Sequence, residues 1–127
     1  MQGLHLFEYA VIRVVPRVER EEFMNVGVIL YCARQKYLKT VCSIDEKRLK
    51  AFYKELDIDE IKAHLHSLES ICAGENGSGP IGQLDLPSRF RWLTAMRSTV
   101  IQTSRVHPGF CKDPAAKIVC LFGEQVL

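Results

Sequence analysis

FEYAVIRVVP, from Phe7 to Pro16, is the stretch on which the reading of the fold turns. It is rich in β-branched and aromatic residues and is closed by a proline, the pattern of a strand rather than a helix. It leads the sheet. Working outward, Arg17 to Glu22 is a charged connector, and NVGVILYCA, Asn25 to Ala33, resumes the strand signal. Val26, Val28, Leu30 and Cys32 fall on one face by period two, and Gly27 among them points to a bulge or to a close approach by other backbone. Arg34, Gln35 and Lys36 form a polar turn before a third strand, Tyr37 to Cys42. The unit reads as an antiparallel meander.

The pattern then switches to helix. Ser43 followed by Glu46 reads as a capping box ahead of Leu49 and Phe52, and Asp57 with Glu60 repeats that signature. Ile58, Ile61, Leu65, Leu68 and Cys72 recur at spacings of three and four, one apolar stripe, and Gly74 sits where a helix stop belongs. Gly74 to Pro87 is a flexible connection without the ending of a phosphate-binding loop. Ser88 caps a short helix through Ala95 that buries Phe90 and Leu93, and Ser98 to Ser104 forms a fourth strand with neither face cleanly apolar. Asp113 as cap and Pro114 at the first helical position open a last helix, with Ile118, Val119 and Phe122 as its apolar residues. The expected architecture is α+β, an antiparallel sheet of about four strands packed against two to four helices, all in one domain spanning 1–127.

Composition sets the frame for function. Hydrophobic residues make up 47% and charged residues 25% of 127, an ordinary globular balance that needs no staple at this length. No apolar run reaches a membrane span, the first ten residues lack a signal-peptide pattern, and the cytoplasm is the expected location. The five cysteines, Cys32, Cys42, Cys72, Cys111 and Cys120, are odd in number and scattered, so they read as reduced, buried thiols. No paired Cys and His spacing suggests zinc, and His64 and His66, two apart on a helix, point in different directions. No metal or cofactor is implied.

Charge is distributed unevenly. From Leu86 to Lys112 there is no Asp or Glu, yet Arg89, Arg91, Arg97, Arg105 and Lys112 all lie there; with a net charge of +2 overall, the rest of the chain sums to −3. Guanidinium forks grip carboxylates and phosphates with paired hydrogen bonds. Nucleic acid is not the expected partner, because a pI of about 8.3 falls short of strongly basic binding domains and no helix-turn-helix, RRM or KH pattern is present.

Two segments carry a family likeness: Glu22-Phe23-Met24-Asn25-Val26-Gly27-Val28, and Arg89-Phe90-Arg91-Trp92-Leu93-Thr94-Ala95-Met96-Arg97-Ser98-Thr99 running on to His107-Pro108-Gly109. Together they resemble the bacterial domain of unknown function 3037 family, from about Phe7 to the end of the chain. The likeness implies that Glu22, Asn25, Gly27, Arg89, Arg91, Trp92, Arg97, Ser98 and His107 belong to the family motif, and it assigns none of them a role. The family pattern has proline where this chain has Met96 and Arg105. The resemblance also implies an accessory role beside a HipA-like kinase.

Read as chemistry, Arg97 and Ser98 at a helix-to-strand junction can converge with backbone N–H groups on a phosphate or carboxylate, or Arg97 can simply pair with Glu22. Arg89 and Arg91, two apart on a helix, cannot both face one ligand. His107 in a turn before Pro108 can serve as acid or base, with Ser98 as nucleophile and Glu22 as orienter, or can be an idle surface imidazole. Trp92 is read as a core or interface anchor, and Asn25 as satisfying backbone groups or reading a ligand. Two functions follow. One is a non-enzymatic accessory domain that docks to a protein partner and holds an anionic group near Arg97, Ser98, Arg105 and His107, with Arg89, Arg91 and Asn25 as further contacts. The alternative is a small hydrolase or transferase acting on a phosphorylated or nucleotide substrate, with His107 as acid or base.

Overall fold

The computed structural model describes residues 3–17, 20–95 and 100–127. Its first strand, β1 (His5–Val14), pairs antiparallel with β2 (Met24–Cys32), which pairs in turn with β3 (Tyr37–Cys42). The expected meander is present. The other side of β1 receives two short strands end to end: β4 (Ile101–Thr103) opposite Ile12 to Val14, and β5 (His107–Cys111) opposite His5 to Tyr9. The result, among the described residues, is an open antiparallel sheet of five strands in the order β3-β2-β1-β4, with β5 sharing the β4 edge. Among the described residues, four α-helices complete an α+β fold: α1 (Glu46–Phe52), α2 (Ile58–Ala73), α3 (Leu86–Leu93) and α4 (Pro114–Gln125).

Two irregularities shape the sheet. In β2, Ile12 faces Gly27 but Arg13 faces Asn25, so Val26 is an extra residue whose carbonyl accepts from Ser43 N–H at 2.8 Å. A bulge of this kind turns side chains to the opposite face. Val26 therefore packs on the other side of the sheet from Val28, Leu30 and Cys32, against the expectation that all four share a face. Gly27 is the close approach its position suggested, since a Cβ there would lie 2.8 Å from both Cys42 Sγ and the Val41 carbonyl oxygen. The second irregularity separates β4 from β5, where Ala10 and Val11 face three residues, Ser104, Arg105 and Val106. Ser104 repairs the gap: its N–H donates to Val11 O and its Oγ accepts from Val11 N–H, both at 2.8 Å.

β5 corrects the expected turn at His107. Pro108 and Gly109 are turn residues by composition, but an edge strand tolerates proline, and a Cβ at Gly109 would lie 2.6 Å from the Phe7 ring beneath it. β4 is shorter than expected because Ser104 already belongs to the bulge; Ser98 and Thr99 lie outside the described residues. Two caps also move. Asp45 rather than Ser43 caps α1, because Ser43 still extends the sheet toward Val26, and Asp85 rather than Ser88 caps α3 by accepting from Ser88 N–H at 2.9 Å. Asp57, Gly74 and Asp113 act as read.

The sheet is covered unequally. On one face α1, α2 and α3 bury Leu49, Ile61, Leu65, Phe90 and Leu93 against Ala10, Ile12, Val14 and Ile29. On the other, α4 buries Ile118 and Leu121 against Phe7, Val28, Leu30 and Cys32, lying chiefly over β2 and β3. One helix cannot cover a five-stranded face, so the outer strands on that side stay partly open. Among the described residues, no helix is long and apolar enough to cross a membrane.

Candidate functional site

The uncovered part of the α4 face carries the polar side chains that the fold gathers without burying. Strand alternation sends Phe7, Tyr9, Val11 and Arg13 of β1 to this side. Antiparallel pairing then sets Asn25, Arg13 and Gln102 in one row, since Arg13 is the Cα partner of Asn25 on β2 and of Gln102 on β4. Four residues back along β1, Tyr9 is the partner of His107, and the two rings pack at a tilt of 37° with centroids 5.3 Å apart. His107 and Arg105 are exposed, whereas Arg13 and Gln102 are half-buried.

Arg13 is the distinctive member. Its guanidinium lies 3.9 Å from the centroid of the Phe23 ring, and burial holds its pKa below the usual value. Among the described residues no carboxylate is within ion-pair distance of it. Its Nε is shielded from solvent and has no hydrogen-bond partner, and neither has the neighbouring Asn25 Oδ1. The other end of the Asn25 amide is used structurally, Nδ2 donating to Gln125 O at 2.9 Å and tying β2 to the end of α4. Shielding part of a guanidinium from water without a counter-charge costs solvation energy.

The other expected contacts are distributed around the sheet. Arg89 and Arg91 ride on α3, which packs against the opposite face, so the sheet separates them from Asn25 and His107. Arg89 Nη1 donates to the carbonyls of Gly82 and Leu84 at 3.3 and 3.2 Å, clasping the connection ahead of its own helix, while Arg91 Nη2 donates to Ser88 Oγ at 3.4 Å. Glu22 pairs with Arg20 at 2.8 Å in the β1–β2 connection. From Tyr9, beside His107, to the end of β1 is about 17 Å at the strand rise, and Glu22 lies beyond that end, so it is out of reach of His107. Trp92 is 38% exposed and, with His64, Ser67 and Ile101, lines a cleft of about 300 Å³ between α2 and α3. Arg97 and Ser98 lie outside the described residues.

Spacing decides what the open face can do. Arg13 and Tyr9, the partner of His107, are four residues apart on one strand, about 13 Å, so a single phosphate cannot touch both. The arrangement is a line, not a converging pocket. Arg13 itself escaped sequence reasoning because it sits inside an apolar strand; the available signal was that it is the lone cation in Phe7 to Pro16, on the same alternation as Tyr9.

The sheet also sets the first motif segment beside the same end of β1 as the strand that follows the second. The start of β2, which holds Met24 and Asn25, and the start of β4 flank the last residues of β1, Val14 pairing with Met24 on one side and Ile101 on the other. No curated protein and no solved structure matches the chain. A family model described as Protein of unknown function (DUF3037) matches residues 9–126, nearly the whole length, and the chain belongs to that family.

Proposed function

We propose that this protein is a non-enzymatic binding domain that holds an anionic group of a protein partner, a kinase-like one in the reading that the family likeness suggests, against the open α4 face. Arg13 is the anchor, Asn25 and Gln102 flank it, and Arg105 and His107 extend the contact along the β4–β5 edge. The observation that carries this reading is the half-buried Arg13 guanidinium, with an unpartnered Nε and, among the described residues, no carboxylate beside it. A solvated surface arginine needs no ligand; one held in this way is stabilised by any acceptor that reaches it. The linear spacing of the cations supports binding over catalysis, which needs an acid or base within hydrogen-bond reach of a reacting atom.

Thermal denaturation with inorganic phosphate, pyrophosphate and citrate tests it, because a ligand that binds only the folded chain adds about 2.7 kcal/mol at a hundred times its Kd. At least one of these anions is expected to raise the Tm of the wild-type chain and of Arg91→Gln but not of Arg13→Gln. A panel without response, or an Arg13→Gln variant that responds like wild type, refutes the assignment.

A further inference from the structure

β5 is an edge strand that presents apolar surface on one side and cations at both ends. Among the described residues no other strand pairs with its outer side. Ser104 N–H donates to Val11 O, and Val15 N–H donates to Val100 O, so the odd-numbered residues of β1 turn their peptide groups toward this edge. By antiparallel alternation His107, Gly109 and Cys111 answer them, while Pro108 and Phe110 turn their peptide groups outward. The outward row offers the carbonyls of both residues and the Phe110 N–H, since proline has none.

The side chains around this row are exposed in a way that edge protection does not require. Leu6 and Phe110 are Cα partners, 52% and 55% exposed, on the face opposite α4. With Leu4 and Tyr31 they line a cavity of about 390 Å³, into which Glu8 and Arg34 bring one charge of each sign. On the α4 side His107 is exposed beside Tyr9, and Arg105 and Lys112 stand exposed just before and just after the strand. No described carboxylate pairs with either cation. Proline and cations deter an arbitrary neighbouring strand. They favour one that brings acidic groups.

We infer that β5 accepts an extended segment of a partner protein as an added strand, with apolar side chains over Leu6 and Phe110 and acidic side chains meeting the cations at the two ends of the strand, Arg105 and Lys112. Main-chain hydrogen bonds to the outward row supply affinity, and the alternation of apolar and acidic residues supplies selectivity, as in other strand-addition complexes. This goes beyond the Arg13 anchor, which lies at the opposite end of β1; the two contacts share Arg105 and His107, and each is tested by a different variant.

The probe is a fluorescein-labelled eight-residue peptide alternating valine and glutamate, compared with its lysine counterpart by anisotropy on the full chain. The acidic peptide is expected to bind about tenfold or more tightly than the basic one, and to shift the amide resonances of Phe110 and Lys112. Phe110→Pro removes the outward N–H without touching the ladder to β1, and is expected to weaken binding by about tenfold or more. Where that variant loses its native circular dichroism, the map of shifted amides on the wild-type chain decides. Equal binding of the two peptides, no binding at about 1 mM, amide shifts confined to another surface, or full affinity in a folded Phe110→Pro variant overturns the assignment. Loss of phosphate binding in Arg13→Gln leaves this result untouched.

Discussion

Gly27→Ala is the sharpest test of the sheet geometry. Gly27 is buried in β2 opposite Cys42, and an added methyl would lie 2.8 Å from Cys42 Sγ and 2.8 Å from the Val41 carbonyl oxygen. Ordinary contacts of this kind are about half an ångström or more longer, so β2 and β3 must part, and inserting one methylene equivalent into a close-packed site costs about 1–3 kcal/mol. The upper half of that range applies, because one obstacle is backbone rather than the end of a flexible side chain. Chemical denaturation followed by circular dichroism is expected to show a loss of about 2–3 kcal/mol with an unchanged m-value. Cys42→Ala in the same chain removes the sulfur contact and leaves the carbonyl contact, so the double-mutant cycle should return a favourable coupling of about 1 kcal/mol. If Gly27→Ala is as stable as the parent, or if the coupling is zero, the close approach of β3 is not what selects glycine here.

Ser104→Ala leaves the buried Val11 N–H without its acceptor at the bulge and is expected to cost about 1–3 kcal/mol, more than Ser104→Thr, in the same denaturation assay; equal losses would mean that the hydroxyl is incidental. Arg89→Ala should lower the Tm more than Arg91→Ala, because Arg89 alone clasps the carbonyls of Gly82 and Leu84; the reverse order would remove Arg89 from the framework. Native-state thiol titration at pH 8 should find the exposed Cys120 reacting first and the half-buried Cys42 later, because burial, chiefly, and nearby Glu69 push the Cys42 thiol up to about 12; Cys42 labelling ahead of Cys120 contradicts this order. Asp85, whose carboxylate is held below its ordinary pKa by the hydrogen bonds from Ser88, contributes stability that is present above the unfolded-state pKa and lost as pH falls through the lowered folded value. Asp85→Asn should therefore flatten the acid limb of the Tm-against-pH curve, and an unchanged limb argues against the cap.

The local elements were legible in the sequence wherever one physical rule acts alone. The alternation in Phe7 to Pro16 and Tyr37 to Cys42 defines strands, the stripe from Ile58 to Cys72 defines α2, and Asp57, Gly74 and Asp113 mark helix ends because capping is a contest among a few neighbouring atoms. Long-range pairing decided the rest. His107 to Cys111 carries turn residues and becomes a strand only because the edge of β1 is there to receive it; Val26 changes faces because the ladder with β1 slips by one residue; and Ser43 gives up its expected cap to the Val26 carbonyl. The run of cations from Arg89 to Lys112 was visible in composition, but a chain segment that passes from α3 on one face to β5 at the edge cannot keep its charges together. Arg13, remote in sequence from that run, is carried into a row with Asn25 and Gln102 by hydrogen-bond register alone. Sequence determines which way each short segment prefers to bend, whereas only the assembled sheet determines which distant side chains become neighbours, because that choice is made by pairing energy summed over whole strands.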